Sequence, residues 1–230
     1  MPDMIIGAID TSQGFSCAVA SPERILLNYA SAAEPRAAAR DMAETLKAQL
    51  ADQGLTVAEI VRWTVGTGPG SFAGIRAGIA LLSGICLQTA AQLRGLPSSL
   101  ALAGKIALLV GPQQTLAVLH DGRQGQLIVT TYRKEESGMK LVREAAAFDP
   151  ESAIPHLDRC ERLVTLHGEA MRRLLPESLT RGKMIEPPSL DAAALLADRT
   201  WPADPEALRQ SLEPVYVRPA VFVDPRPARP

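Results

Sequence analysis

The stretch VGTGPGSFAGIRAGIALLSG, residues 65–84, constrains this chain more than any other. Gly66, Gly68, Gly70, Gly74 and Gly78 fall around Pro69, and the run then turns into an apolar helix pattern. Glycine at this density marks a tight turn in which backbone passes close to a neighbour. Just upstream, VRWTVG (61–66) reads as a buried strand, so the turn joins strand to helix. In the helix, Ile75, Ile79, Leu82, Cys86 and Leu93 make one apolar stripe fit for a core. Ala80, Gly84, Leu87 and Ala91 make a second stripe of mostly small residues. A helix apolar on two sides is either internal or shared with a partner.

Turns of this kind often hold phosphate, and the sequence tests that directly. A P-loop needs Gly-Lys followed by a hydroxyl residue. The chain's two Gly-Lys pairs, Gly104-Lys105 and Gly182-Lys183, have neither that hydroxyl nor the upstream glycine. Gly68 to Ala73 matches the GxGxxA form of a dinucleotide turn, which also requires an acid roughly 20 residues on for the ribose. No Asp or Glu occurs from Ile60 to His120. His120, His156 and His167 form no HExxH or HxxxH pair and no cysteine neighbours them in sequence, so no metal site is expected. GxSxG is absent, which argues against a hydrolase elbow. Asp10 is different. It closes an apolar strand and is followed by Thr11, Ser12 and Gly14. An acid in such a place either faces a metal-bound phosphate, with the hydroxyls beside it, or satisfies the amides of its own turn.

Along the chain, MIIGAID, SCAVA and RILLNYA read as three short strands of a meander. A helix is expected over Pro35–Gln53, with Ala39, Met42, Ala43, Leu46 and Leu50 on one face, and TVAE (56–59) is a capping box. After the glycine turn a long helix is expected over Gly74–Leu93. The first lobe is therefore 1–104. A second lobe, 105–222, opens with strands over KIALLVG and TLAVLHD, then a hairpin turning at Ser137-Gly138. Asp149-Pro150-Glu151 starts a helix, RLVTLHG is a strand, and helices follow over EAMRRLL and SLDAAALLADRTW. Both lobes thus run β-β-β-α-β-α, a duplicated α/β plan. The final segment, rich in proline, is expected to return toward the first lobe, with 223–230 a disordered tail.

Composition narrows the function. The net charge is −1 and aromatic residues make up 4% of the chain, which disfavours a dedicated nucleic-acid binder. Between Ile60 and His120 the charges are Arg62, Arg76, Arg94 and Lys105, too sparse for a phosphate-binding surface alone. Residues 75–93 are marginal in length for a membrane span and are interrupted by Arg76, Ser83, Gln88, Thr89 and Gln92, so a packed helix is expected. Cys17, Cys86 and Cys160 form no CxxC pair, and the N-terminus has no secretory pattern, which fits a cytoplasmic protein with reduced thiols.

IDTS closing the first strand, GTGPGSFAGIRAG before the helix, and PVYVRP near the end resemble the TsaB (YeaZ) family, once termed glycoprotease-like. HDGRQGQLIV (120–129) is similar to a diverged form of the segment that opens that family's second lobe. The resemblance implies an α/β fold of the actin/Hsp70/sugar-kinase (ASKHA, ribonuclease H-like) type, two lobes of mixed sheet plus helices. It implies a non-catalytic subunit that supports TsaD in N6-threonylcarbamoylation of the adenosine next to the anticodon in tRNAs reading ANN codons. It further implies that TsaE is reached through the complex, that a homodimer forms when TsaD is absent, and that tRNA is met only in the complex, with no membrane partner. ATP and magnesium belong to the complex, and no cofactor is assigned to this chain. The glycine motif is Gly66, Gly68, Pro69, Gly70, Ser71, Phe72, Gly74, Arg76 and Gly78. A partner interface is expected over Met42, Leu46, Ala80, Gly84, Leu87 and Ala91, so that Gly78→Arg or Leu87→Glu abolishes pairing and leaves the fold. Asp10, Thr11 and Ser12 mark where superfamily members grip nucleotide phosphates, and a small ATPase or kinase using Asp10 is the alternative function. Two departures stand out: Ala73 replaces the family's usual Thr, and Glu34-Pro35-Arg36 replaces a His-Ser helix start. Interface contacts are expected to differ in detail.

Overall fold

The computed structural model describes residues 4–31 and 40–217. Two five-stranded sheets share one plan. In the first, β1 (Ile5–Asp10), β2 (Ser16–Ala20) and β3 (Ile25–Ala30) form an antiparallel meander. On the other side of β1, β4 (Ile60–Gly66) and β5 (Gln92–Leu96) run parallel, giving the order β3-β2-β1-β4-β5. The second sheet repeats this with β6 (Thr115–Asp121), β7 (Leu127–Glu135), β8 (Gly138–Phe148), β9 (Arg162–Thr165) and β10 (Met184–Ile185), in the order β10-β9-β6-β7-β8. The first strand of each meander is therefore central, with apolar residues on both faces, as a doubly covered strand requires.

Three apolar cores separate the layers. On the outer face of the first sheet, α1 (Met42–Asp52) and α2 (Phe72–Thr89) cover Ile9, Val19, Trp63 and Val65. Between the sheets, α3 (Ser98–Lys105) and the short α7 (Ala193–Leu196) pack against Ala8, Ala18, Val118 and Tyr132. On the outer face of the second sheet lie α4 (Pro150–Leu157), α5 (Gly168–Leu174) and α6 (Glu177–Thr180), over Leu119, Leu127 and Leu163. The last helix, α8 (Pro205–Ser211), crosses back to the first lobe: Gly95 N donates to Ser211 Oγ at 2.9 Å and Val215 N to Thr67 O at 2.8 Å. A buried guanidinium secures that return. Arg94 is 2% exposed, bonds Thr64 Oγ1, the Asp198 carboxylate and the carbonyls of Asp198 and Thr200, and lies 4.4 Å from the Trp201 ring centre.

Several expectations are corrected here. KIALLVG is not a strand but the end of α3 and a 3-10 turn at Ala107–Leu109. Leu102, Ile106 and Val110 are buried four apart while Leu108 is 94% exposed, a helical rather than an alternating pattern. The long helix stops at Thr89, where Ala90 turns left-handed at φ 58°, and Leu93 lies in β5. Only Ala193–Leu196 of SLDAAALLADRTW forms helix. The hairpin turns at Glu136-Ser137, with Gly138 entering β8. The stretch 35–39 of the first expected helix, the Glu34-Pro35-Arg36 departure and the 223–230 tail lie outside the described residues.

Candidate functional site

The two motifs that carry the family resemblance touch each other. Asp10, Thr11 and Ser12, at the end of β1, are 1%, 1% and 2% exposed. Asp10 Oδ1 accepts from Ser12 N at 2.8 Å and from Ser12 Oγ at 2.6 Å. Thr11 Oγ1 donates to Gly74 O at 2.8 Å, and Ser12 O accepts from Ser71 N at 2.7 Å. Side chains on the glycine motif would collide with this turn. A Cβ at Gly66 would land inside the Asp10 carboxylate, and one at Gly74 inside the Thr11 carbonyl; Gly70 and Gly78 sit equally close to Ser12 and Thr11. The four-residue glycine spacing is thus the imprint of the Asp10–Ser12 turn on β4, the loop and α2.

The loop is fastened on its other side by Ser98. Gly68 N donates to Ser98 Oγ at 2.9 Å and Ser98 N to Gly68 O at 2.7 Å. Gly68 adopts φ +103°, open to glycine, and the Gly68–Pro69 bond is cis. Ser71 caps α2, its Oγ accepting from Gly74 N at 3.2 Å. Ser98 carries no sequence signal that would have singled it out.

Asp10 is the chemical oddity. Its Oδ2 makes no hydrogen bond among the described residues, although the Ser98 hydroxyl lies close by. Burial pushes the Asp10 carboxyl above its ordinary value, opposed by the Ser12 hydroxyl, the Ser98 hydroxyl and the Ser12 amide. The expected nucleotide-facing trio is thus a buried one. The trio lies beneath the glycine turn, with the Thr11 hydroxyl committed to Gly74 O and the Ser12 hydroxyl to Asp10 Oδ1. The open space lies next door, between the lobes: a cavity of about 220 Å³ bounded by Gln13, Gly14, Ser16, Leu166 and His167. His167 and the buried His120 stand 6.2 Å apart, and burial with His167 beside it holds His120 down at about 3. Among the described residues no three His, Cys, Asp or Glu side chains cluster as a metal site.

The expected partner face divides. Met42 and Leu46 are 9% and 1% exposed, inside the outer core, and cannot line an interface without opening it. Gly78 is buried against Thr11, so arginine there would break the helix from the sheet rather than test docking. Ala91 follows the helix end and is half-buried. What α2 presents outward is Ala73, Arg76, Ala80, Ser83, Gly84 and Leu87, spaced three and four apart, with Leu87 88% exposed. Phe72, 53% exposed, extends this face; Tyr216 stacks on it at 5.2 Å and Arg76 lies 5.0 Å over it. By length and composition α2 could cross a membrane, the one such helix among the described residues. Leu82 instead packs in the core over the first sheet, and Ile75 is also buried.

Two sheets of repeated topology, with helices outside and between them and a cleft at the β1–β2 turn, define a two-lobed α/β protein. The fold matches that of YeaZ from Pseudomonas aeruginosa with a TM-score of 0.73 at 21% identity, covering 93% of this chain and 99% of that one. It also matches a P. aeruginosa protein described as uncharacterized with similarity to peptidase YEAZ, with a TM-score of 0.72 at 20% identity, over 94% of this chain and 100% of that one. The family model described as TsaD, tRNA N6-adenosine threonylcarbamoyltransferase, matches residues 26–179, more than half of the chain. The tRNA threonylcarbamoyladenosine biosynthesis protein TsaB of Escherichia coli K12 is 29% identical over 167 residues, 72% of this chain and 69% of that protein. The chain belongs to the family that this TsaD model describes, and it is similar to TsaB and YeaZ.

Proposed function

We propose that this chain takes part in tRNA threonylcarbamoyladenosine biosynthesis as a non-catalytic subunit that docks on TsaD through the outer face of α2. The observation that carries the reading is that face itself: an 18-residue helix with Leu87 88% exposed, small residues at Ala73, Ala80 and Gly84, and Arg76 its only charge. Small residues let a second helix approach closely, and the exposed Leu87 one turn beyond Gly84 supplies an anchor. A stable pairing centred on this face would bury a standard interface, roughly 1,600 Å² of accessible surface in total. The same face would pair two copies of the chain in the absence of TsaD, and TsaE and tRNA would be met through the complex.

The closed Asp10 turn supports a scaffold role over the ATPase or kinase alternative, because a phosphate-gripping carboxylate must reach its metal. The test is co-elution of purified chain and TsaD on size exclusion, compared with Leu87→Glu. Loss of co-elution with unchanged thermal stability supports the reading. Retention by the variant excludes this face.

A further inference from the structure

A second cavity, about 330 Å³, opens where the start of α3, the β7–β8 hairpin and the chain after α8 meet. That volume is in the range of small-molecule sites, which run from about 300 Å³ upward. Its floor is a hydroxyl cluster. Ser99 Oγ and Tyr132 Oη are 2.8 Å apart, and both residues are at least 99% buried. Beside them Thr130, 2% exposed, has no hydrogen-bond partner for its Oγ1 among the described residues. Three hydroxyls carry three protons, and the Ser99–Tyr132 bond uses one whichever way it runs. Two O–H donors are left on the floor, and a buried hydroxyl without an acceptor is costly. The walls are apolar, from Pro97, Leu141, Pro214 and Val215. At the mouth stand two exposed carboxylates, Glu144 and Glu213, neither in an ion pair among the described residues.

A floor of unused donors calls for an anionic or carbonyl acceptor, and a mouth of two carboxylates calls for a cation. An aliphatic spacer suits the walls. The geometry points to a binding site for a small amino-acid zwitterion, its carboxylate on the Ser99, Thr130 and Tyr132 hydroxyls and its ammonium between Glu144 and Glu213. This site borders the α2 face at Tyr216, which lines the cavity and packs on Phe72, but its hydroxyls and carboxylates belong neither to that face nor to the Asp10 turn.

Calorimetric and NMR titrations of the full chain test it with two zwitterions, L-valine and 5-aminopentanoate, and two half-molecules, pentanoate and pentylamine. At least one zwitterion is expected to bind saturably, with each half-molecule at least tenfold weaker. Thr130→Val, which keeps the shape and removes the hydroxyl, is expected to weaken binding at least tenfold while leaving the melting temperature no lower. Glu213→Gln, at the exposed mouth, gives the same loss without touching the core and carries the test if the Thr130 variant misfolds. Failure of both zwitterions to saturate, equal binding of either half-molecule, or unchanged affinity in the folded variants overturns the assignment.

Discussion

Asp10→Asn should stabilise this protein, and increasingly so as pH rises. The wild-type carboxylate accepts two bonds from Ser12 through Oδ1, but its Oδ2 is buried against Gly66 without a bond. A buried acceptor left unpaired costs about 1–3 kcal/mol, more when charged. Asparagine keeps an oxygen for Ser12 and turns an amide toward the Ser98 hydroxyl, which can accept. Recovering about 1–3 kcal/mol corresponds to a rise of about 2–12 °C in Tm for a chain of this size. The pH dependence follows from the raised folded-state value of Asp10. A carboxyl raised on folding contributes fully below its unfolded value, near 3.8, and loses that contribution as pH climbs through the folded value. Asparagine does not titrate. The two proteins should therefore melt closest together near pH 4, roughly the unfolded carboxyl range, and farther apart toward neutral pH. Differential scanning calorimetry from pH 4 to 8 reads this directly. An asparagine variant that melts lower at neutral pH, or a gap that narrows with pH, refutes the closed-turn account. So does tight Mg-ATP binding by the isolated chain that Asp10→Asn abolishes.

The strands MIIGAID, SCAVA and VRWTVG, the capping box at Thr56 and the Asp149-Pro150 start of α4 were legible because local chemistry and burial agree there. Thr56 N does bond Glu59 at 2.8 Å. The glycine turn was legible as a turn, but its purpose was not. Four glycines are spaced to admit a strand end more than fifty residues earlier, and sequence cannot show what a missing side chain makes room for. β5 was hidden because Arg94 interrupts its apolar run, and the guanidinium's partners lie about a hundred residues on. Asp204-Pro205-Glu206 repeats the signature of Asp149-Pro150-Glu151 and marks α8, with the Asp204 side chain accepting from Glu206 N and Ala207 N. That signal sits inside a proline-rich stretch, which masks it. Met42 and Leu46 share helical spacing with residues a partner could use, and periodicity alone does not say which apolar stripe faces the sheet.

Three further outcomes are expected. Gly74→Ala would gain about 1 kcal/mol from helix propensity alone, yet its methyl meets the Thr11 carbonyl, so a net loss of about 1–3 kcal/mol by denaturant melting is expected. Arg94→Met keeps the stem but strips Thr64, Asp198 and Thr200 of their donor. Because Asp198 is 30% exposed and partly hydrated, about 2–3 kcal/mol is expected rather than the cost of a fully buried pair, with faster amide exchange over residues 198–217. Leu87→Glu, on a side chain with little to lose, should shift folding stability by no more than about 0.5 kcal/mol.

The proposal that α2 docks on TsaD is tested most directly by light scattering coupled to size exclusion, on the chain mixed with TsaD, as wild type and as Leu87→Glu or Ala80→Arg. A single larger species with the wild type, and separate components with either folded variant, is the predicted result. A larger species that persists in both variants contradicts the assignment of this face, and its absence with the wild type contradicts the pairing itself.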